Sequence, residues 1–142
     1  MRNAQPDLET FSIIQAHHLS QIPYENLELH YSKAPRISLD VTDIYHKFVV
    51  AGRGGYCMEH NRFLCHVLRF LGFQVHLTGA RLHRDATTSA PGEHAVNIVT
   101  LSDQTQYLVD VGYGDDGSIF PVPLAVTGVT LPNLDIQELR LS

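Results

Sequence analysis

The most informative stretch of the chain is RGGYCMEHN, residues 53–61. Three glycines fall within residues 52–55, and glycine permits backbone angles that other residues avoid. The spacing of the apolar residues that follow predicts a helix from about Cys57 to Leu71, closed by Gly72. The turn therefore delivers a cysteine to the start of a helix, where exposed N–H groups and the helix dipole stabilise a thiolate. The same N–H groups can stabilise the oxyanion formed when a thiolate attacks a carbonyl group.

The residues alone leave two interpretations of Cys57 open. It is either a nucleophile or a small buried apolar residue that begins a helix. Cys65 lies mid-helix among apolar neighbours and is predicted to be a core residue. Most of the nine histidines are expected to be surface side chains or core side chains with a hydrogen-bond partner.

A thiolate nucleophile needs a histidine, and that histidine needs an acceptor on its other ring nitrogen. His94 opens the predicted strand 94–101, and Asp110 lies near the end of the next predicted strand, 106–111. A three-residue loop between them makes His94 and Asp110 diagonal neighbours on one face, whereas a two- or four-residue loop would separate them. Asp110 also interrupts an apolar strand, so it either has a buried partner or lies at the rim of an edge strand.

Outside this region, the pattern predicts helices before the glycine turn and strands after it. Apolar residues at helical spacing predict a helix capped by Asp7 or Thr10 that ends near Gln21, and Ser38 or Asp40 can cap a second helix. The apolar stripe expected on the first helix is Leu8, Phe11, Ile14 and Leu19. The remaining expectations are an extended or turned segment over 22–29, a strand from 73 to 77, a flexible loop over 83–93 and a short strand over 136–141.

Composition limits the class of protein. The 142 residues carry a formal net charge of −5 and are 44% hydrophobic, as expected for a soluble globular chain with a core. We expect neither a membrane span nor a secretory signal, and the mild acidity argues against nucleic acid or an anionic membrane as a partner. Two cysteines do not make a disulfide framework, which favours free thiols in a reducing, cytoplasmic setting.

Four motifs resemble those of the arylamine N-acetyltransferases and occur in that family's order. They are IPYEN at 22–26, RGGYCMEHN at 53–61, HAVNIV at 94–99 and YLVDVGYG at 107–114. Together they are much more specific than any one motif alone. The resemblance implies an α+β, cysteine-protease-like fold, similar to transglutaminase cores. We expect a helical domain over 1–72 that carries the cysteine, packed on an antiparallel β-barrel or sheet over 73–142 that carries the histidine and the aspartate.

The resemblance also implies a chemistry. It assigns a catalytic triad to Cys57, His94 and Asp110, with no metal. The reaction would be ping-pong: acetyl-CoA acetylates the cysteine, and an arylamine, hydrazine or arylhydroxylamine then accepts the acetyl group. The histidine would move the protons while the aspartate fixes its tautomer.

Five further residues match family positions around this site. Glu25, Arg53 and Asn61 resemble a buried polar network that holds the cysteine turn, although each is also compatible with an ordinary solvated polar residue. Tyr113 and Gly114 match the loop beside the aromatic substrate, and Tyr113 is equally compatible with a core aromatic residue.

Family members are longer than this chain, which is the main departure from the resemblance. We expect the family's first helix and its C-terminal domain to be absent, so that the fold is incomplete at both ends. An open cleft would expose an acetyl-enzyme to water and reduce transfer to an amine, and unpaired strand edges would lower stability.

Three alternatives remain. A papain-like or transglutaminase-like thiol hydrolase has the same chain order of cysteine, histidine and aspartate. An inactive remnant would act only as a binding module and would have an ordinary thiol. A zinc site from Cys57, His60 and Cys65 is disfavoured because the last cysteine lies two helical turns away. The sequence leaves the accepted amine, the preferred acyl chain and the oligomeric state open.

Overall fold

The computed structural model describes residues 6–81, 94–133 and 138–141. The loop predicted over 83–93 lies outside the described residues. The helices are α1 (Leu8–Gln21), α2 (Leu27–Tyr31), α3 (Val41–Tyr45), which continues as a π-helical turn (His46–Val50), and α4 (Cys57–Phe70). The strands are β1 (Gln74–Ala80), β2 (His94–Thr100), β3 (Gln106–Val109), β4 (Val122–Pro123), β5 (Thr130–Pro132) and β6 (Glu138–Arg140).

Helix α1 begins and ends as expected, and most of its predicted apolar stripe packs on the core. Asp7 caps it by accepting a hydrogen bond from the Thr10 backbone N–H over 2.8 Å. The buried side chains are Phe11, Gln15 and His18, whereas Leu8 of the predicted stripe is 39% exposed. The apolar pattern could not show that the two polar side chains on this face are buried, because their burial depends on hydrogen bonds to other parts of the chain.

The segment over 22–29 is only partly extended, and the expectation was wrong in its second half. Tyr24 forms an isolated β-bridge with Gly55, but a short helix, α2, begins at Leu27. Glu25 explains this change, because its carboxylate accepts a hydrogen bond from the Leu27 backbone N–H over 2.9 Å. A side-chain acceptor of this kind satisfies a free donor of the first helical turn.

The helices that flank the glycine turn agree with expectation. Asp40 caps α3 by accepting from the Thr42 N–H over 2.9 Å, and α4 begins at Cys57. Gly72 follows α4 with a φ of +91°, the left-handed conformation that glycine adopts after a helix. Cys65 is buried in the core, as predicted.

Strands β1 to β4 form one antiparallel sheet in sequential order. The β2–β3 register pairs Asn97 with Val109 and Thr100 with Gln106. The Leu101 N–H donates to the Thr105 carbonyl over 2.9 Å, which leaves a three-residue turn over 102–104, so the register that the sequence predicted is confirmed. Strands β5 and β6 form a separate antiparallel pair, and the described strands form no closed barrel.

The hydrophobic core fills the space between α1, α4 and the sheet. It contains Phe11, Leu64, Cys65, Leu68, Phe73, Val75, Val99, Val109 and Val111. The expected α+β architecture is therefore confirmed, while the division into domains at residues 72 and 73 stays a prediction. None of the described helices is long and apolar enough to cross a membrane.

Candidate active site

The glycine turn before α4 is packed too tightly for any larger residue. A Cβ atom on Gly54 would lie 1.7 Å from the Pro23 carbonyl oxygen, and one on Gly55 would lie 2.5 Å from Glu59 Oε2. Glu59 closes the turn by accepting a hydrogen bond from the Tyr56 N–H over 3.1 Å. Cys57, the first residue of α4, is held by this turn and is half-buried.

His94 and Asp110 form a short, buried contact beside this cysteine. His94 Nε2 lies 2.5 Å from Asp110 Oδ2, and both side chains are buried. Burial alone would lower the pKa of His94, but hydrogen bonds to Asp110 and Cys57, together with their charges, raise it to about 9. Because Nε2 faces the carboxylate, Nδ1 is the ring nitrogen available to Cys57. The structure thus brings the three side chains together, with His94 in contact with Asp110 and close to Cys57.

The Asp110 carboxylate is oriented by further donors. Its Oδ1 accepts from Asn61 Nδ2 and from the Gly112 N–H, each over 2.8 Å. Asn61 also donates to the Ala95 carbonyl over 2.6 Å and accepts from the Val111 N–H over 3.2 Å. One amide on α4 therefore joins the strand that carries the histidine to the loop that carries the aspartate.

Glu25 and Arg53 lie together, but apart from Asn61. Arg53 Nη2 is 2.8 Å from Glu25 Oε1, and the side chains are 45% and 14% exposed, respectively. Burial would raise the pKa of Glu25, but hydrogen bonds from the Leu27 N–H and from Arg53 hold it below its usual value. The Glu25 N–H also donates to the Gly55 carbonyl over 2.8 Å. The expectation of one buried network is thus wrong: this pair flanks the turn near the surface, and Asn61 belongs to the buried cluster around Asp110.

A second ion pair supports the turn from inside, and the sequence interpretation missed it. Lys47 Nζ lies 2.8 Å from Glu59 Oε1, and the two side chains are only 19% and 4% exposed. The signal available in the sequence was a glutamate three residues after Tyr56, the position from which such a side chain reaches back to the start of a helix.

Two buried histidines were also missed. His18 Nε2 lies 2.8 Å from His60 Nδ1, and His60 Nε2 lies 3.2 Å from the Pro23 carbonyl oxygen. A carbonyl only accepts, so His60 carries its proton on Nε2 and His18 donates from its own Nε2. Burial and the charge on its partner lower the pKa of His18 to about 3, and burial lowers the pKa of His60.

Aromatic rings surround the thiol. The Tyr113 ring packs edge-on against His94 with centroids 5.4 Å apart. Burial and the nearby Cys57 raise the pKa of both Tyr24 and Tyr56. Gly114 has a φ of +89°, and a Cβ atom added to it would lie 4.0 Å from Tyr24 Cγ. Tyr113 and Gly114 thus lie beside the proposed triad.

The described residues contain no group of three or more His, Cys, Asp or Glu side chains placed to hold a metal ion. Of the three residues weighed for zinc, His60 is hydrogen-bonded to His18 and to Pro23, and Cys65 is 1% exposed in the core.

Comparison with known proteins identifies close relatives. A family model described as N-acetyltransferase matches residues 7–141. An N-malonyltransferase of Fusarium pseudograminearum is 39% identical over 128 residues, which cover 82% of this chain and 37% of the relative. A pineal gland isozyme of arylamine N-acetyltransferase from Gallus gallus is 40% identical over 113 residues, covering 78% and 38%.

Solved structures of arylamine N-acetyltransferases also match the chain. The arylamine N-acetyltransferase of Mycobacterium marinum in complex with CoA superposes with a TM-score of 0.78 at 34% identity, covering 91% of this chain and 48% of that one. The chain therefore spans less than half the length of these relatives.

Proposed function

The chain belongs to the arylamine N-acetyltransferase family, and from that premise we propose that it transfers an acyl group from a CoA thioester to an aromatic amine or hydrazine. We assign the nucleophile to Cys57, the proton carrier to His94 and the orienting carboxylate to Asp110. The acyl donor we propose is acetyl-CoA.

One observation carries this proposal. His94 contacts Asp110 over 2.5 Å, and Cys57 lies close enough to help raise the pKa of His94. With a pKa near 9, His94 is a cation at neutral pH, and a cation beside the sulfur stabilises a thiolate. A buried carboxylate on the other ring nitrogen fixes the orientation of the imidazole.

In the first half-reaction, the Cys57 thiolate attacks the carbonyl carbon of the thioester. The bond between that carbon and the CoA sulfur breaks, and the proton on His94 passes to the departing sulfur. The products are free CoA, an acyl thioester on Cys57 and a neutral His94. Backbone N–H groups at the start of α4 would stabilise the oxyanion of the intermediate.

In the second half-reaction, the amine nitrogen attacks the acyl carbon on Cys57. His94 takes the proton that the nitrogen loses, and the bond to the Cys57 sulfur breaks. The amide leaves, and the thiolate and the protonated histidine are restored. We place the aromatic ring of the amine against Tyr113, whose ring already packs on His94.

The attack of the thiolate does not by itself select the acyl group, since malonyl and acetyl thioesters present the same kind of carbonyl carbon to the thiolate. One relative is an N-malonyltransferase and another an arylamine N-acetyltransferase. A direct comparison of the two donors therefore belongs in the test. Because the nucleophile must stay a free thiol, we also propose a reducing, cytoplasmic setting.

The test is acylation in the absence of amine. The purified 142-residue chain is incubated with acetyl-CoA or with malonyl-CoA, and intact mass is recorded for wild type and for Cys57→Ala. We expect a single acetyl adduct on wild type and none on the variant. Addition of an arylamine should then remove the adduct and yield the acetylated amine.

Other outcomes identify the alternatives. An adduct that decays to free acid at the same rate with and without amine would favour a thiol hydrolase. If no adduct forms and iodoacetamide labels Cys57 no faster than a free thiol, the proposed activity is wrong and a binding role remains. A malonyl adduct without an acetyl adduct would reassign the donor.

A further inference from the structure

Gln15 is a fully buried amide on α1 that the proposed reaction does not use. It is 0% exposed, and its Nε2 lies 3.2 Å from the Asp110 carbonyl oxygen and 3.2 Å from the Ser118 carbonyl oxygen. These two carbonyls lie at the start and at the end of one loop, residues 110–118. A single side chain thus spans the base of that loop.

The chemistry of the site fixes which end of the amide faces the loop. Both neighbours are carbonyl oxygens, which only accept hydrogen bonds, so the NH₂ group must point at them. One nitrogen with two hydrogens matches two acceptors. The other end of the amide, Oε1, is buried without a hydrogen-bond partner among the described residues. An unmet buried acceptor is unfavourable, so the part of this amide that the fold uses is its pair of N–H donors.

The loop that Gln15 closes carries two residues of the proposed site. It begins with Asp110, whose carboxylate contacts His94, and it contains Tyr113, whose ring packs edge-on against the same histidine. The end of the loop near Ser118 contains a tight turn, in which the Gly117 N–H donates to the Gly114 carbonyl over 3.1 Å. Fixing the two ends of the loop therefore fixes the spacing between the carboxylate and the aromatic ring.

We propose that Gln15 is a positioning residue, which clamps the 110–118 loop through its two N–H donors and so sets Asp110 and Tyr113 around His94. This inference rests on the proposed function, because it takes the row of Cys57, His94 and Asp110 as the reacting groups. Gln15 does not touch the sulfur and acts only through the loop.

The test removes the donors while keeping the size of the side chain. Gln15→Met has the same length without an N–H, and Gln15→Glu keeps the shape and replaces the amide with a carboxyl group. Gln21→Met is the matched control, since Gln21 is an exposed residue of the same helix whose amide donates to its neighbour Ser20 over 3.3 Å. Three quantities are measured: the site-resolved rate of Cys57 alkylation by iodoacetamide at neutral pH, the NMR titration midpoint of His94 and the melting temperature.

We expect the alkylation rate to fall about tenfold or more in both Gln15 variants, because a small misplacement of a reacting group has an effect of that size. In Gln15→Met, the His94 midpoint should move to lower pH than in wild type as its contact with Asp110 loosens, because that contact helps to raise the pKa of His94. The titratable groups that face His94 are Asp110 and Cys57, with Tyr113 packed on its ring. Gln15→Met changes none of them, whereas Gln15→Glu adds a carboxyl group, so the midpoint is compared between Gln15→Met and wild type. Gln21→Met should match wild type in all three measurements.

Two results would overturn the inference. A lower melting temperature with an unchanged alkylation rate and His94 midpoint would leave Gln15 a purely structural residue, as would failure of both variants to fold. These results are distinct from failure of the proposed function, in which wild type itself would show an ordinary thiol.

Discussion

Gly112 lies directly on the backbone of Cys57. A Cβ atom on Gly112 would be 2.7 Å from Cys57 Cα and 2.8 Å from the Cys57 carbonyl oxygen. The Gly112 N–H also donates to Asp110 Oδ1 over 2.8 Å. The loop after β3 therefore reaches the first residue of α4 through a contact that only glycine permits, and this contact brings the aspartate to the cysteine.

Gly112→Ala should separate these two segments. We expect a loss of about 1–3 kcal/mol in the free energy of unfolding, as for other overpacked sites. The alkylation rate of Cys57 should fall at least about tenfold. Gly79→Ala is the control, because a Cβ on Gly79 meets nothing within 4 Å. Urea unfolding and site-resolved alkylation measure both effects, and equal behaviour of the two variants would show that the Gly112 contact is unimportant.

The two ion pairs beside the glycine turn should differ sharply in their effect on stability. Lys47→Met leaves the carboxylate of Glu59, 4% exposed, buried without its cation, which typically costs about 3–5 kcal/mol. Arg53→Met breaks a pair whose arginine is 45% exposed, and we expect a cost below about 1 kcal/mol. Chemical denaturation of the two variants compares them directly, and similar losses would contradict the assignment of Glu59 as the buried partner.

The sequence was sufficient to predict the secondary structure that positions Cys57, His94 and Asp110. The spacing of the apolar residues and the glycines at both ends predicted the helix that starts at Cys57. The length of the turn between β2 and β3 predicted the strand register, which is confirmed. From that register follows the diagonal approach of His94 and Asp110, which the structure also has. These features depend on local spacing, so a single sequence contains them.

The polar residues behind the site could not be found in this way. Gln15 and His18 lie within the apolar stripe of α1, but a polar side chain on such a stripe does not reveal its partners, which are far along the chain. Asn97 was read only as part of a motif, yet its Nδ2 donates to the Asn61 carbonyl over 3.0 Å. Such contacts depend on how elements pack, and no periodicity in the sequence reports that packing.

The protonation of His94 should depend on Asp110. The contact with that carboxylate contributes to raising the pKa of His94 from 6.5 to about 9. A raised pKa in the folded state stabilises the fold below pH 6.5, and this contribution is lost as the pH rises through about 9. Asp110→Asn should lower the His94 midpoint by about 1–3 units, as measured by NMR with His94→Gln for assignment. A midpoint that stays near pH 9 in Asp110→Asn would assign the shift to another group.

Mild acid should destabilise the protein through the His18–His60 pair. Burial lowers the pKa of His18 to about 3 in the fold, against an unfolded value near 6.5, so the unfolded chain binds the extra proton first. The stabilising contribution is therefore complete above pH 6.5 and is lost progressively as the pH falls towards 3. For His18 alone the loss is at most about 1.4 kcal/mol per pH unit within that window.

His18→Gln keeps an N–H donor for His60 but cannot titrate, so its free energy of unfolding should fall less steeply than that of wild type between about pH 6.5 and about pH 5. His17→Gln, at an exposed position of the same helix, is the matched control and should follow wild type. Urea titrations at several pH values give the slopes, and a wild-type slope that His18→Gln does not reduce would show that this histidine is already protonated in the folded chain.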